Sequence, residues 1–257
     1  MPASARRPEA WLVVLAATSM TAWCAVALGG SDMALPVVCS AALIGAPPGS
    51  FDLALGLALN APVQLTSGWL LMVAAMMAPA IVAPLRHLHD RSFARRRGRA
   101  MLLFGVGYAA VWLCAGAVLQ AMALAAWWVA PAASISVAVA VALVWQVSPA
   151  KQWCLNRCHR RPHLAAFGAA ADGDAVVFGL THGAACVGAC WAVMLLPLLA
   201  GTAHVPAMVA VALFVWAERL EAAAPLGWRW RGAGKALRIM AAQARLRLAP
   251  RRSMSWS

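Results

Sequence analysis

The sequence predicts an all-α protein, a polytopic transmembrane helical bundle of about six spanning helices with both termini in the cytoplasm. Of its 257 residues, 63% are hydrophobic and only 11% are charged, whereas a soluble domain carries roughly 25% charged residues. The charges are also clustered, and four long stretches contain none. These uncharged stretches are Ala10–Ser31, Leu53–Leu85, Ala100–Ala150 and Ala175–Ala217.

The uncharged stretches divide naturally into spans, because a spanning helix needs about 20 apolar residues. The first two stretches hold one span each and the last two hold two each. Turn signals with Pro or Gly divide the longer ones at Ala130–Ser134 and Gly201–Pro206. The transmembrane domain is therefore residues 1–228. Its predicted spans are 10–31, 67–86, 101–129, 134–149, 176–200 and 205–224.

The segment between the first two spans holds too many helix breakers for a clean span. We predict two re-entrant or interfacial pieces there, around residues 34–46 and 51–59, and an extra pair of spans stays open. The first span has a signal peptide as its alternative, with a cleavage site at Ala25–Ala27. Its apolar run is long for a signal peptide, which favours a retained anchor.

The basic residues predict the orientation of the bundle. All 21 Lys and Arg residues fall on one side if both termini are cytoplasmic, as the positive-inside rule requires. The net charge of +13 is then a topology signal of a multi-pass protein in the bacterial cytoplasmic (inner) membrane, and no nucleic-acid partner is predicted. Residues 229–257 form a basic cytoplasmic tail, whose amphipathic pattern predicts a helix on anionic lipid.

Side chains that bind soft metal ions recur at helical spacing in three segments. Residues four positions apart lie on one face of an α-helix, so these segments form a ladder of sulfur and imidazole ligands if they touch. From the inner side, the predicted order is Cys154 and Cys158, then His182 and Cys186, then Cys190 and Met194 beside Met76 and Met72.

This ligand set predicts a copper site. Thiolate and thioether donors with one imidazole select Cu(I) first and zinc next. Zinc, the alternative, prefers a closed site of four Cys or His ligands. Asp and Glu are nearly absent from the spans, which argues against Mg, Ca, Mn and non-haem iron. No catalytic residue is predicted.

Other residues have simpler interpretations as packing groups. A single Cys in a spanning helix is usually a small apolar residue, and Cys24, Cys39 and Cys114 are interpreted in this way. Gly179 and Gly183 predict the close approach of another helix. Two further predictions concern Pro79 and Pro84, which bend the second span, and Glu218, which pairs with Lys151 or an arginine.

The motifs together resemble a bacterial family of uncharacterised integral membrane proteins that are described as predicted metal-binding. The resemblance covers roughly residues 67–225 and includes WLLMVAAMMAPAIVAPL, PAKQWCLNRC, GLTHGAACVGACWAVM and ERLEAAAP. It implies a metal site but no mechanism. Where the family has two adjacent cysteines, this chain has Ala189 and Cys190.

Four functions stay open. The favoured one is the binding, delivery or translocation of Cu(I), with a metal-donor or metal-acceptor protein or a membrane complex as partner. The second is a metal-dependent membrane oxidoreductase or its subunit, although the sequence contains no nucleotide motif. The third is a thiol-redox protein that uses one of the two cysteine pairs. The fourth is a structural subunit that binds no metal.

Overall fold

The computed structural model describes residues 10–28, 62–230 and 234–248, and in these ranges all regular secondary structure is helical. The all-α prediction is confirmed for this part of the chain. The predicted pieces at 34–46 and 51–59, together with Cys39, lie outside it. The helices are α1 (Ala10–Leu28), α2 (Pro62–Met77), α3 (Val82–Arg91), α4 (Arg97–Val129), α5 (Ser134–Val147), α6 (Pro149–Cys158), α7 (Gly168–Leu199), α8 (His204–Arg219) and α9 (Gly234–Leu248).

Five helical segments among the described residues are long and apolar enough to cross a membrane, which needs about 20 residues. A sixth is obtained if α5 and α6 count as one span, although their axes bend by 68° where they meet. Five or six such segments compare with the six predicted spans, and the predicted span 134–149 corresponds to α5, which passes the length criterion only together with α6. The five segments are Ala10–Leu28, Thr66–Arg91, Arg97–Trp127, Gly168–Leu199 and Gly201–Arg219.

The second span is broken where its prolines predict a bend. Helix α2 ends at Met77, and a short 3-10 turn at Ala78–Ile81 leads into α3. Because Pro79 has no N–H, it cannot bond the carbonyl of Ala75, four residues earlier. The Ser19 hydroxyl of α1 donates to that carbonyl instead, at 3.0 Å. The break between α2 and α3 is thus stabilised by a hydrogen bond from the Ser19 hydroxyl of α1.

Helices α4 and α7 run side by side in the same direction and approach closely through glycines. A Cβ added to Gly179 would collide with the carbonyl oxygen of Phe104. A Cβ added to Gly107 would lie 2.7 Å from the carbonyl oxygen of Val176. The predicted small-residue face of α7 is therefore confirmed, and it brings α4 side chains next to the candidate ligands of α7.

The turn between α5 and α6 follows from a local start signal. Pro149 occupies the first turn of α6, and the Ser148 hydroxyl accepts a hydrogen bond from the Lys151 backbone N–H at 3.1 Å. Such a Ser-Pro pair is a favoured helix start. It allows α6 to turn away from the axis of α5 and to pack against α7.

A buried polar cluster joins α5, α6 and α8. Lys151 lies with its Nζ 2.7 Å and 2.8 Å from the two carboxylate oxygens of Glu218. The side-chain amide of Gln146 hydrogen-bonds both residues. All three residues are at most 3% exposed. We call them the Lys151–Gln146–Glu218 cluster, and they confirm the ion pair predicted for Glu218.

Candidate metal site

Helix α7 carries four of the predicted ligands on one buried face. His182, Cys186, Cys190 and Met194 are all at most 3% exposed. The Cys190 thiol donates to the carbonyl of Cys186, one turn earlier, at 3.0 Å. The predicted spacing therefore does place these side chains in the protein interior, in the middle of a 32-residue helix.

The sulfur of Cys186 receives polar contacts from two other helices. Arg219, at the end of α8, donates from Nη2 to the Cys186 sulfur at 2.9 Å. The hydroxyl of Tyr108, from α4, lies 3.2 Å from the same sulfur. Hydrogen bonds in which one partner is ionised are the stronger ones. Positive charge and a hydroxyl thus surround a sulfur that a metal ion would require as a thiolate.

Helix α6 brings two more thiols to this region. Cys158 is buried, and its thiol is close enough to interact electrostatically with Arg219 and with Cys186. Cys154 packs on α7 at Gly188, where an added Cβ would lie 2.5 Å from the Cys154 sulfur. Small residues in α7 are therefore needed for the thiols of α6 to approach.

The order of the thiols differs from the predicted ladder. The prediction places both α6 cysteines nearer the inner side than His182. In the structure, Cys154 packs beside Gly188, which lies between Cys186 and Cys190 along α7. The reason is the 68° bend after α5, because it lays α6 against α7 instead of extending it away from the bundle.

His182 is a buried imidazole without a hydrogen-bond partner. It is 3% exposed, and neither ring nitrogen bonds any polar atom among the described residues. The rings of Phe104, Tyr108 and Phe178 surround it, with centroids 6.0–6.2 Å away. Buried polar side chains are nearly always paired, so this imidazole is a candidate metal ligand.

The three methionines are buried in the same core as the cysteines. Met72, Met76 and Met194 are at most 4% exposed and belong to one continuous apolar cluster with Cys186 and Cys190. The closest neighbours of α2 are α1, α4 and α8. The methionines of α2 are thus part of this core, while α2 itself packs mainly on helices other than α7.

The described residues contain no preformed metal cage. Within 10–28, 62–230 and 234–248, no three His, Cys, Asp or Glu side chains stand close enough together to hold a metal ion. The closed four-ligand arrangement that zinc prefers therefore has no support in this part of the chain. The described residues instead offer single buried thiols on two helices that pack together, Cys158 and Cys186, and so few donors suit an ion that needs few ligands.

Two residues of the site were missed by the sequence analysis. Tyr108 and Arg219 lie 78 and 33 positions from Cys186, so no local spacing connects them with it. A signal existed for Tyr108, which is the sole tyrosine of the chain and lies within an uncharged stretch. Arg219 belongs to the ERLEAAAP motif of the resemblance and to the positive charge of the inner side, but it was not predicted to be part of the metal site.

Comparison with known proteins identifies the family. Residues 66–242 match the family model PpoB2, which is described as a copper chaperone. Searches of curated proteins and of solved structures found no match. The matched region extends from α2 into α9 and includes all eight predicted ligands. Since it covers more than half of the chain, this protein belongs to the PpoB2 copper chaperone family.

Proposed function

We propose that this protein is an integral membrane copper chaperone, which binds Cu(I) at the thiols between α6, α7 and α8 and delivers it to a partner. The observation that carries the proposal is the contact of Arg219 with the buried sulfur of Cys186, with the buried thiol of Cys158, from another helix, close enough to interact electrostatically with both. Membership of a copper chaperone family supports copper as the metal. The unpartnered imidazole of His182, one turn from Cys186, supports a further ligand.

The chemistry of this site suits a transient cargo. Two thiols that bind one Cu(I) each lose a proton, so the balanced step forms one copper dithiolate and releases two protons to water. No electron is transferred, because copper enters and leaves as Cu(I). A site with few ligands leaves room for a thiol of a partner protein to attack the metal. Delivery can then proceed by exchange of one ligand at a time.

The remaining soft donors define a path beyond the central pair. Cys154 is half-buried and the other predicted ligands are buried, which makes it the most exposed of these donors. Cys190, Met194, Met76 and Met72 lie deeper in the same apolar core as Cys186. We propose that Cu(I) moves between these donors, and that a metal-donor or metal-acceptor protein exchanges it at the Cys154 side.

The membrane placement is part of the same proposal. The helices long enough to span a membrane support a multi-pass protein of the inner membrane. The concentration of all Lys and Arg on one side of the predicted spans, with Arg86 and Arg219 near the inner ends of theirs, supports cytoplasmic termini. The basic helix α9 would then lie on anionic lipid. Nothing in the described residues favours a metal-dependent oxidoreductase or a thiol-redox protein over copper delivery.

The test is metal content by mass spectrometry on protein purified in mild detergent after supply of Cu(I) under reducing conditions. We expect about one copper per chain, lost in the His182→Ala, Cys186→Ala double variant. The matched control is His87→Ala, Cys114→Ala, because Cys114 is exposed and His87 bonds the Pro162 carbonyl outside the site. Wild-type protein without copper, or equal copper in both double variants, would overturn the proposal.

A further inference from the structure

We propose that Arg219 is the specificity determinant that makes this site select a monovalent over a divalent soft metal ion. This inference rests on the proposed function, because it concerns the charge of the complex formed at the same thiols. Its basis is a half-buried arginine whose guanidinium contacts sulfur, where a carboxylate would be the usual partner.

At the end of α8, two adjacent side chains of opposite charge, Glu218 and Arg219, contact different partners. Glu218 is directed to Lys151 and Gln146, and both of its oxygens lie within 2.8 Å of the Lys151 ammonium. Arg219 is directed to Cys186 and Cys158. Among the described residues, Arg219 forms no ion pair with a carboxylate. The nearest carboxylate is already neutralised by Lys151, so the positive charge of Arg219 is available to the thiols.

The backbone also holds Arg219 in place. The imidazole of His159 lies between two carbonyl oxygens, with Nδ1 2.9 Å from that of Leu155 and Nε2 3.3 Å from that of Arg219. These contacts tie the last turn of α8 to the C-terminal end of α6. Since α6 carries Cys158, the guanidinium and the thiols are positioned by the same contacts.

Charge balance then distinguishes metal ions. Two thiolates with one monovalent ion carry a charge of −1, and Arg219, the cation that contacts the Cys186 sulfur directly, balances it. Two thiolates with one divalent ion are neutral, and Arg219 leaves the group at +1. An uncompensated charge is costly in an apolar interior, and around this group the buried core is apolar. Arg219 therefore favours Cu(I) over Zn(II) or any other divalent ion that two thiolates would hold.

A purely structural role for Arg219 makes a different prediction. If the side chain only filled space, its replacement would weaken every metal ion by a similar factor. If it supplies charge, its replacement lowers the affinity for monovalent ions and leaves the affinity for divalent ions unchanged or raises it. Ag(I) and Cd(II) are suitable probes, because both are soft and thiol-binding and they differ in charge. Because both ions are soft, a change in the ratio of their affinities after replacement of Arg219 reports the effect of charge.

The experiment measures Cu(I), Ag(I), Zn(II) and Cd(II) affinities of the full chain in detergent, by competition with chelators under reducing conditions. We expect Arg219→Gln to weaken Cu(I) and Ag(I) about 10–100-fold, the usual range for groups that support ligands, with Zn(II) and Cd(II) unchanged or tighter. Arg219→Lys keeps the charge and should keep most of the preference. Arg99→Gln removes an exposed positive charge that pairs with Asp172, and it should change no affinity.

Two results would overturn the inference while leaving copper binding intact. One is an Arg219→Gln variant that loses affinity for monovalent and divalent ions by the same factor. The other is an Arg219→Lys variant that is as unselective as Arg219→Gln. Should Arg219→Gln not fold, Arg219→Met, which keeps a long side chain, replaces it in the same comparison. Wild-type protein that binds no Cu(I) would instead contradict the proposed function itself.

Discussion

Two buried polar regions lie next to each other at the end of α8, and they differ in how completely they are paired. In the Lys151–Gln146–Glu218 cluster, both carboxylate oxygens of Glu218 and the ammonium of Lys151 have partners. One residue further along, Arg219 contacts the sulfur of Cys186. The nearby His182 has no partner for either ring nitrogen among the described residues.

This difference in pairing indicates different roles for the two regions. A buried ion pair with all its hydrogen bonds satisfied holds helices in one arrangement and leaves no unpaired atom to bind a ligand. A buried imidazole without a partner costs stability, and a protein keeps such a group where function requires it. We therefore expect substitutions in the first region to reduce stability and substitutions in the second to reduce copper affinity.

The largest effect is expected from breaking the paired cluster. Lys151→Met leaves the carboxylate of Glu218 buried and unpaired, which should lower the free energy of unfolding by about 3–5 kcal/mol. Denaturant or thermal unfolding in detergent, followed by tryptophan fluorescence, measures it. The double variant Lys151→Met, Glu218→Leu removes both charges and should regain most of the stability. A loss below about 1 kcal/mol in the single variant would contradict the structural role of the cluster.

The next largest effect concerns the thiol region. Cys186→Ser removes a soft ligand and should weaken Cu(I) at least about 100-fold, or about 2.8 kcal/mol, with little change in unfolding. Competition with a colorimetric Cu(I) chelator measures the affinity. Cys114→Ser serves as the control, since Cys114 is exposed and outside the site. Equal affinities in the two variants would remove Cys186 from the site.

A smaller effect is expected at the crossing that brings α4 to α7. Gly179→Ala would force the added methyl group against the carbonyl of Phe104, and such overpacking costs about 1–3 kcal/mol. It should also move Tyr108 away from Cys186. Gly105→Ala is the matched control on α4, where an added Cβ meets nothing within 4 Å, and it should stabilise the helix by about 0.5–1 kcal/mol. Thermal unfolding of both variants checks the prediction, and equal stabilities would exclude a tight crossing.

The smallest effects on stability are expected at two buried histidines, one without a hydrogen-bond partner and one with a partner. His182→Leu replaces an unpartnered imidazole, so it should raise the free energy of unfolding by about 1 kcal/mol while it weakens Cu(I). His204→Leu should lower it by a similar amount and leave Cu(I) unaffected, because His204 Nδ1 donates to the Pro197 carbonyl at 2.8 Å. Paired unfolding and chelator competition measure both. A destabilised His182→Leu variant with unchanged Cu(I) affinity would assign His182 to packing.

The fold was more predictable from the sequence than the site. Uncharged stretches and Pro or Gly breaks are local signals, and they predicted the helices, the broken second span and the small face at Gly179. The ligand spacing on α7 was also local. The contact of Arg219 with Cys186 depends on how α8 packs, and the depth of Cys154 depends on the bend after Ser148. Neither has a periodic pattern in the sequence, so tertiary packing alone reveals them.

The central claim is that copper is held by thiols from α6 and α7. X-ray absorption spectroscopy at the copper edge, on Cu(I)-loaded wild-type protein and on Cys158→Ser, Cys186→Ser protein, tests it most directly. We expect sulfur atoms as the nearest neighbours of copper in the wild-type protein and their loss in the double variant. A wild-type shell without sulfur, or an identical spectrum in the double variant, would contradict it.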